Sequence, residues 1–586
     1  MGHSEMGEAA NEPVTIESEQ AALDSADQHE AAAGNPWLKP AAVICVVLFI
    51  AIYWMRLDKV FGMMLDDAWY LVLAKSLATG HGYTLVNSPT PGIVPIYPPA
   101  FPFLISLLYR LFPQFPENLW LLKSLSVVVM LVAGWAIYSY LTRERGQSPL
   151  LALGIAAASV FCPSLVFLAT SAVMSECLFL LCLVLTVMLI ERGVQQYQRG
   201  LEQNLVRYLL PGSVFAAIAF LTRSAAIAML AAVVLYLLKK RLIKPAIVFV
   251  LIVSAIVGPW IIYSRMHAPT QVQMAEVNSY IVVPYTKQFW QNIAGFEVYG
   301  ETTAAQLPAR TLGKAWEIFG TDFGRMFVAP VFEALTVTQN WIEQTGNAGL
   351  ILSLLLSLLT IIGFIHAARQ DATLAEFVIF FSFLLIVIWP GELFRQVLPF
   401  LPFLLFYLVL SVEAIHGFYP GLKALAVLTT RLKVMGALVG VILAINLYGN
   451  IAYVIKLSGS MLERPTTIRI FEENEELLKW VRERVPPTSP SDGAIATSNP
   501  PLVYMLTGHK TVGSDNPAKY WETWNQLGVR YLVRTQYASR PVANDAAEAA
   551  YKTLYRQRGE LNLRVVDLGP PSSRSIWGSP PPNPAK

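Results

Sequence analysis

Runs of apolar residues, repeated along the chain and long enough to cross a bilayer, limit the folds open to this sequence. They fall near 38–55, 119–141, 149–170, 172–190, 208–222, 224–238, 245–264, 346–367, 373–390, 394–415 and 433–455. A spanning helix needs about 20 such residues. The pattern predicts an α-helical polytopic membrane protein with about 11 transmembrane helices. The 208–222 and 224–238 pieces meet at Arg223, and one kinked span there would reduce the count to ten. Composition agrees: 55% of the 586 residues are hydrophobic and 14% are charged, against about a quarter charged in soluble domains. The net charge of +3 gives no electrostatic footing for nucleic acid. Cys45, Cys162, Cys177 and Cys182 lie in or beside apolar runs. Their spacing fits neither a zinc site nor a disulfide framework, so they read as small hydrophobes.

Residues 1–36 hold eight acidic residues and no Lys or Arg, the composition of a disordered tail. No basic segment precedes the first apolar run, which therefore reads as a retained helix rather than a cleaved signal peptide. Lys and Arg in the short loops set orientation. Arg143 and Arg145, Arg192 to Arg207, Lys239 to Lys244, Arg369, and Lys423 to Lys433 share one side if the N-terminus is cytoplasmic and the number of spans is odd. The opposite side receives loops 56–118 and 265–345 and everything from 456 onward. Residues 37–455 are then the membrane domain, and 456–586 a small extracytoplasmic α/β domain. In the latter, NEELLKWVRERV has the spacing of an amphipathic helix, and AIATS, RYLVR and LRVVDLG read as strands. It has neither a Gly-rich phosphate loop nor metal-ligand spacing, so it is expected to bind an acceptor or to cap the membrane domain.

The chemistry gathers at the outer ends of the spans. LDDAWYLVLAKSLATGHGY (65–83) follows the first span. Two carboxylates at a helix start are accounted for by capping and the helix dipole. Adjacent side chains on a helix diverge by about 100°, so Asp66 and Asp67 need not serve one site. The helix is too short to cross and reads as interfacial, with the proline-rich PTPGIVPIYPPAFPFLISLLYRLFP after it. Glu176, in MSECLFLL, lies in an otherwise apolar run, where a carboxylate is costly without a partner or water. A Ser175 cap with Glu176 in the first turn would also explain it. Arg223 and Arg395 either bind phosphate or snorkel to headgroups. Lys75 is a further phosphate candidate, or a solvated surface lysine. Trp260, Tyr97 and the aromatic residues of loop 265–345 stack on sugar or form an interfacial belt.

LDDAWYLVLAKSLATGHGY, YPPAFPFLISLLYRLF, SAVMSECLFLLCLVL, FLTRSAAIAMLAA, GPWIIYSR and FRQVLPFLPFLLFYL occur in that order over residues 40–415. Together they resemble the GT-C class of membrane glycosyltransferases, and within it bacterial relatives of protein O-mannosyltransferases and of the lipid A aminoarabinose transferase. Asp66-Asp67 stands where that family usually shows Asp-Glu, and Gln396 where an aromatic is common. The resemblance implies an inner-membrane enzyme using a polyprenyl-phosphate sugar donor and a lipid, glycan or protein acceptor outside the cytoplasm. It implies Asp66 as the general base. Asp67 would orient it, bind the acceptor or hold a divalent metal. Glu176 would join the catalytic site, Arg395, Arg223 and Lys75 would bind the donor phosphate, and Tyr70 and Tyr97 the substrate. A phosphate leaving group needs positive charge rather than a strong acid, and a carboxylate can activate the acceptor hydroxyl. A transporter or lipid flippase would place charges at the midplane and show internal repeats. The other rival is a non-catalytic scaffold for envelope assembly.

Overall fold

The computed structural model describes residues 36–570, apart from 340–341, 419–427, 461–463, 486–493, 515–516, 537–546, 549–550 and 558–560. The acidic tail and the proline-rich end fall outside the described residues. All eleven apolar segments are helical. Eight helices among the described residues reach spanning length and apolarity: Leu38–Arg56, Leu119–Arg143, Glu176–Gln198, Leu205–Thr222, Ile243–Met266, Asn347–Asp371, Phe394–His416 and Arg431–Leu457. A ninth is the pair Pro149–Val160 and Pro163–Thr170, bent by 55° where Pro163 cannot continue the ladder. By length and apolarity the described residues thus hold eight or nine candidate spans, against the eleven expected. Ser224–Lys239 and Leu374–Ile388 are apolar but shorter. At 1.5 Å per residue, the 15 residues of Leu374–Ile388 reach only about 22 Å, short of a core about 30 Å thick. Arg223 has extended backbone (φ −147, ψ 123), which ends one helix and starts the next. The chain is a multi-pass integral membrane protein.

Two helices occupy the centre. In Glu176–Gln198 and Phe394–His416, 78% and 83% of the spanning stretch is buried, against 17% in Leu38–Arg56. Apolarity all round suits either lipid or protein, so the sequence alone does not rank them. Four of the basic loops, around Arg145, Arg192, Lys240 and Asp371, meet at one end of the bundle. There Arg145 pairs with Glu376 at 2.7 Å, Lys240 with Asp371 at 3.0 Å and Arg192 with Glu144 at 3.9 Å. Glu176 opens the opposite end of the helix that carries Arg192.

Helix Asp66–Ala78 lies at that opposite end. It was expected to lie at the membrane interface; Asp67 through Ala74 are all buried, packed against Ala100–Leu111 and the C-terminal helix Pro500–Thr507. The C-terminal domain holds helix Thr466–Arg484 and a five-stranded mixed sheet. Ile495–Thr497, Tyr531–Arg534 and Arg564–Asp567 are the three expected strands. Thr511–Gly513 and Lys552–Arg556 complete the sheet as its two edges. Ile495–Thr497 runs parallel to Thr511–Gly513 and to Tyr531–Arg534, and the remaining pairs are antiparallel.

Candidate active site

The site starts from one backbone turn. Leu65 has φ 64, ψ −52, and the Asp66 N–H donates to the Met64 carbonyl at 2.7 Å. This is a three-residue γ-turn with positive φ, a strained arrangement for a residue with a Cβ. The turn directs the Asp66 side chain outward from the helix start, and no side chain caps that end. The cap expected from the aspartates is therefore not made. Asp66 Oδ1 accepts from Tyr97 Oη at 2.7 Å and from Tyr280 Oη at 2.5 Å. Its Oδ2 pairs with Arg395 Nη2 at 2.5 Å. Burial pushes the carboxyl upward, but the Arg395 guanidinium and the three hydrogen bonds outweigh it and hold Asp66 below its ordinary value.

Arg395 also faces Glu176, with Nε 3.4 Å from Oε1. Arg223 Nη1 lies 2.8 Å from the same oxygen. Glu176 is fully buried, and two guanidiniums supply the partners a buried carboxylate needs. Asp66, Glu176, Arg223 and Arg395 thus form one charge-balanced chain drawn from four segments. Ser175 does not cap its helix. Its Oγ lies 3.0 Å from Tyr70 Oη and 3.4 Å from Arg223 Nη1. Asp66, Tyr70, Tyr97, Arg223 and Arg395 line a cavity of about 480 Å³, with Tyr280, Tyr285, Phe296 and Trp389 as further aromatic walls. An aromatic cavity with a few convergent polar groups is the usual form of a small-molecule site.

Asp67 and Lys75 are not part of this arrangement. Asp67 is fully buried, and its Oδ2 accepts the Gly62 N–H at 2.8 Å. Burial pushes its carboxyl up to about 6. Side chains one residue apart on a helix diverge, so Asp67 turns into the protein while Asp66 faces the cavity. Among the described residues no group of three or more His, Cys, Asp or Glu could hold a metal ion, and the divergent aspartates do not fit a divalent metal between them. Lys75 lies over the Tyr504 ring, Nζ 4.6 Å from its centroid, and desolvation pushes its ammonium down. Tyr280 was not singled out from the sequence. Nothing in NSYIVVPY marks one tyrosine as the partner of a residue 214 positions away.

Residues 97–263 match the family described as dolichyl-phosphate-mannose-protein mannosyltransferase. ArnT from Cupriavidus metallidurans, solved bound to undecaprenyl phosphate, superposes with a TM-score of 0.54 at 11% identity, over 90% of this chain and 97% of that one. The apo oligosaccharyltransferase of Archaeoglobus fulgidus gives 0.51 at 12% identity, over 88% of this chain and 70% of that one. None of the curated proteins matches the sequence. At such identities the structural likeness establishes fold. The chain accordingly shares the membrane fold of these two structures, and its residues 97–263 are similar to the dolichyl-phosphate-mannose-protein mannosyltransferase family.

Proposed function

We propose that the protein is a glycosyltransferase that moves a sugar from a polyprenyl-phosphate donor to the hydroxyl of an acceptor on the non-cytoplasmic face. The carrying observation is the Asp66 carboxylate, fixed by Tyr97, Tyr280 and Arg395 at the wall of the cavity. The ArnT structure holds undecaprenyl phosphate, which makes a lipid phosphate a reasonable donor class here. The basic loops at the far end of the bundle support a cytoplasmic placement for that end, with the cavity and the C-terminal domain outside.

The residues account for each part of an inverting displacement. The donor phosphate takes hydrogen bonds from Arg395 and Arg223, whose forks suit phosphate oxygens. Glu176 anchors both guanidiniums. As Arg395 turns to phosphate, Asp66 loses its strongest partner, and burial then makes it a better base. Asp66 takes the acceptor's hydroxyl proton while the hydroxyl oxygen attacks the anomeric carbon. The bond from that carbon to the phosphate oxygen breaks, and the phosphate leaves with the electron pair. Tyr70, Tyr97 and Trp389 offer ring faces to the sugar. The test is release of free polyprenyl phosphate by purified protein supplied with polyprenyl-phosphate sugars and envelope extract, alongside glycan profiles of cells with and without the protein. Release together with loss of one glycoform is expected. No release from any donor, with unchanged profiles, overturns the proposal.

A further inference from the structure

In open α/β sheets, ligands sit outside the carboxyl ends of the parallel strands. In the C-terminal domain two of those ends, after Thr497 and at Gly513, are instead pressed onto the membrane domain. Asn499 Nδ2 donates to the Gly62 carbonyl at 2.8 Å. Gly62 has φ +77, and a Cβ there would lie 2.9 Å from Leu502 Cδ1. It stands three residues before the γ-turn residue Leu65. Asn278 Nδ2 donates to the Gly513 carbonyl at 3.0 Å. The approach is close enough that a Cβ on Gly513 would lie 1.8 Å from the Asn278 carbonyl oxygen. Asn278, at φ 46, precedes by two residues the tyrosine that donates to Asp66. Asn499 is fully buried and Asn278 nearly so, where an amide left without its partner is costly.

We infer that the C-terminal domain is a positioning element for the Asp66 carboxylate. Asn499 holds the loop that leads into the γ-turn, and Gly513 admits the turn that delivers Tyr280. Neither residue reaches the cavity; both act through groups that do. This assignment rests on the glycosyltransferase reading for its catalytic consequence, though not for its structural one.

Two variants of the full-length protein test it. Asn499→Ser keeps a side-chain cap for helix Pro500–Thr507, since Ser and Asn cap about equally well, but its hydroxyl does not span to Gly62. Gly513→Ala drives a methyl into the Asn278 carbonyl. Misplacement of a reacting group by about 1 Å can cost about 100-fold in rate. Each variant is therefore expected to lower kcat at least about tenfold while donor KM stays within about threefold. Amide hydrogen exchange in peptides covering residues 60–68 and 276–282 should speed up in both variants, with the rest of the C-terminal domain unchanged. Unchanged exchange in those peptides overturns the inference, as does faster exchange throughout the domain or an unaltered kcat. A wild-type protein inactive with every donor would sink the functional reading alone, because the exchange measurement still decides the positioning role.

Discussion

Ionic clusters stand at both ends of the helix bundle, built from similar residues and left in different states. At the basic end, Arg145 and Glu376 are closed upon themselves. Glu376 also accepts from Tyr407 at 2.8 Å and from Thr373 at 2.7 Å, and Phe406 covers the guanidinium. At the other end, Asp66, Arg395 and Arg223 are equally well paired, yet they line a cavity. Pairing is therefore no sign of function, because any charge near the bilayer must be paired. The space beside the pair separates a structural clamp from a site that can exchange its partner for a ligand.

Substitutions at four residues can break or sharpen this contrast. The largest effect belongs to Asp66→Asn, which removes the base and leaves the arginines. The rate of polyprenyl phosphate release should fall about 1,000-fold, with donor binding retained, and an active variant would strip Asp66 of its role. Glu376→Gln comes next and acts in the other currency. It leaves Arg145 buried without its counter-charge and should cost about 3 kcal/mol of stability. A lower melting temperature with an unchanged rate per folded molecule is the expected result; a specific loss of rate would join the two ends functionally. Third, Arg395→Ala should weaken donor binding by about 10- to 100-fold in a titration, and Arg395→Lys should recover part of it as a point charge without the fork.

Asp67→Asn should do least to the rate, within about twofold, since Asp67 faces away from the cavity. Its signature is in stability. The folded state holds the Asp67 proton up to about pH 6, whereas an unfolded aspartate loses it near about pH 4. The folded state therefore binds the extra proton between those values, and the wild type loses stability as pH rises through that window. The variant lacks that loss, so its stability relative to wild type should climb from about pH 4 to 6 and then level off. Melting curves at pH 4.5 and 7.5 measure the difference. A tenfold loss of rate would return Asp67 to the chemistry.

The sequence determined the apolar segments and four charged residues that the fold gathers: Asp66, Glu176, Arg223 and Arg395. Each is legible for a local reason, since a run long enough to span, and a charge within one that must find a partner, can be read from neighbouring residues alone. Helix ends inside an apolar run were less legible, as in 149–170, where the bend between Val160 and Pro163 leaves the run apolar. The tertiary structure alone decided which aspartate faces the cavity. A positive-φ turn at Leu65 turns Asp66 outward, and Gly62 holds Asp67 inward. It also decided that Tyr280 completes the site and that the C-terminal sheet grips the loops behind it. Those contacts join residues hundreds of positions apart, and no local pattern encodes a partner that only chain folding brings near.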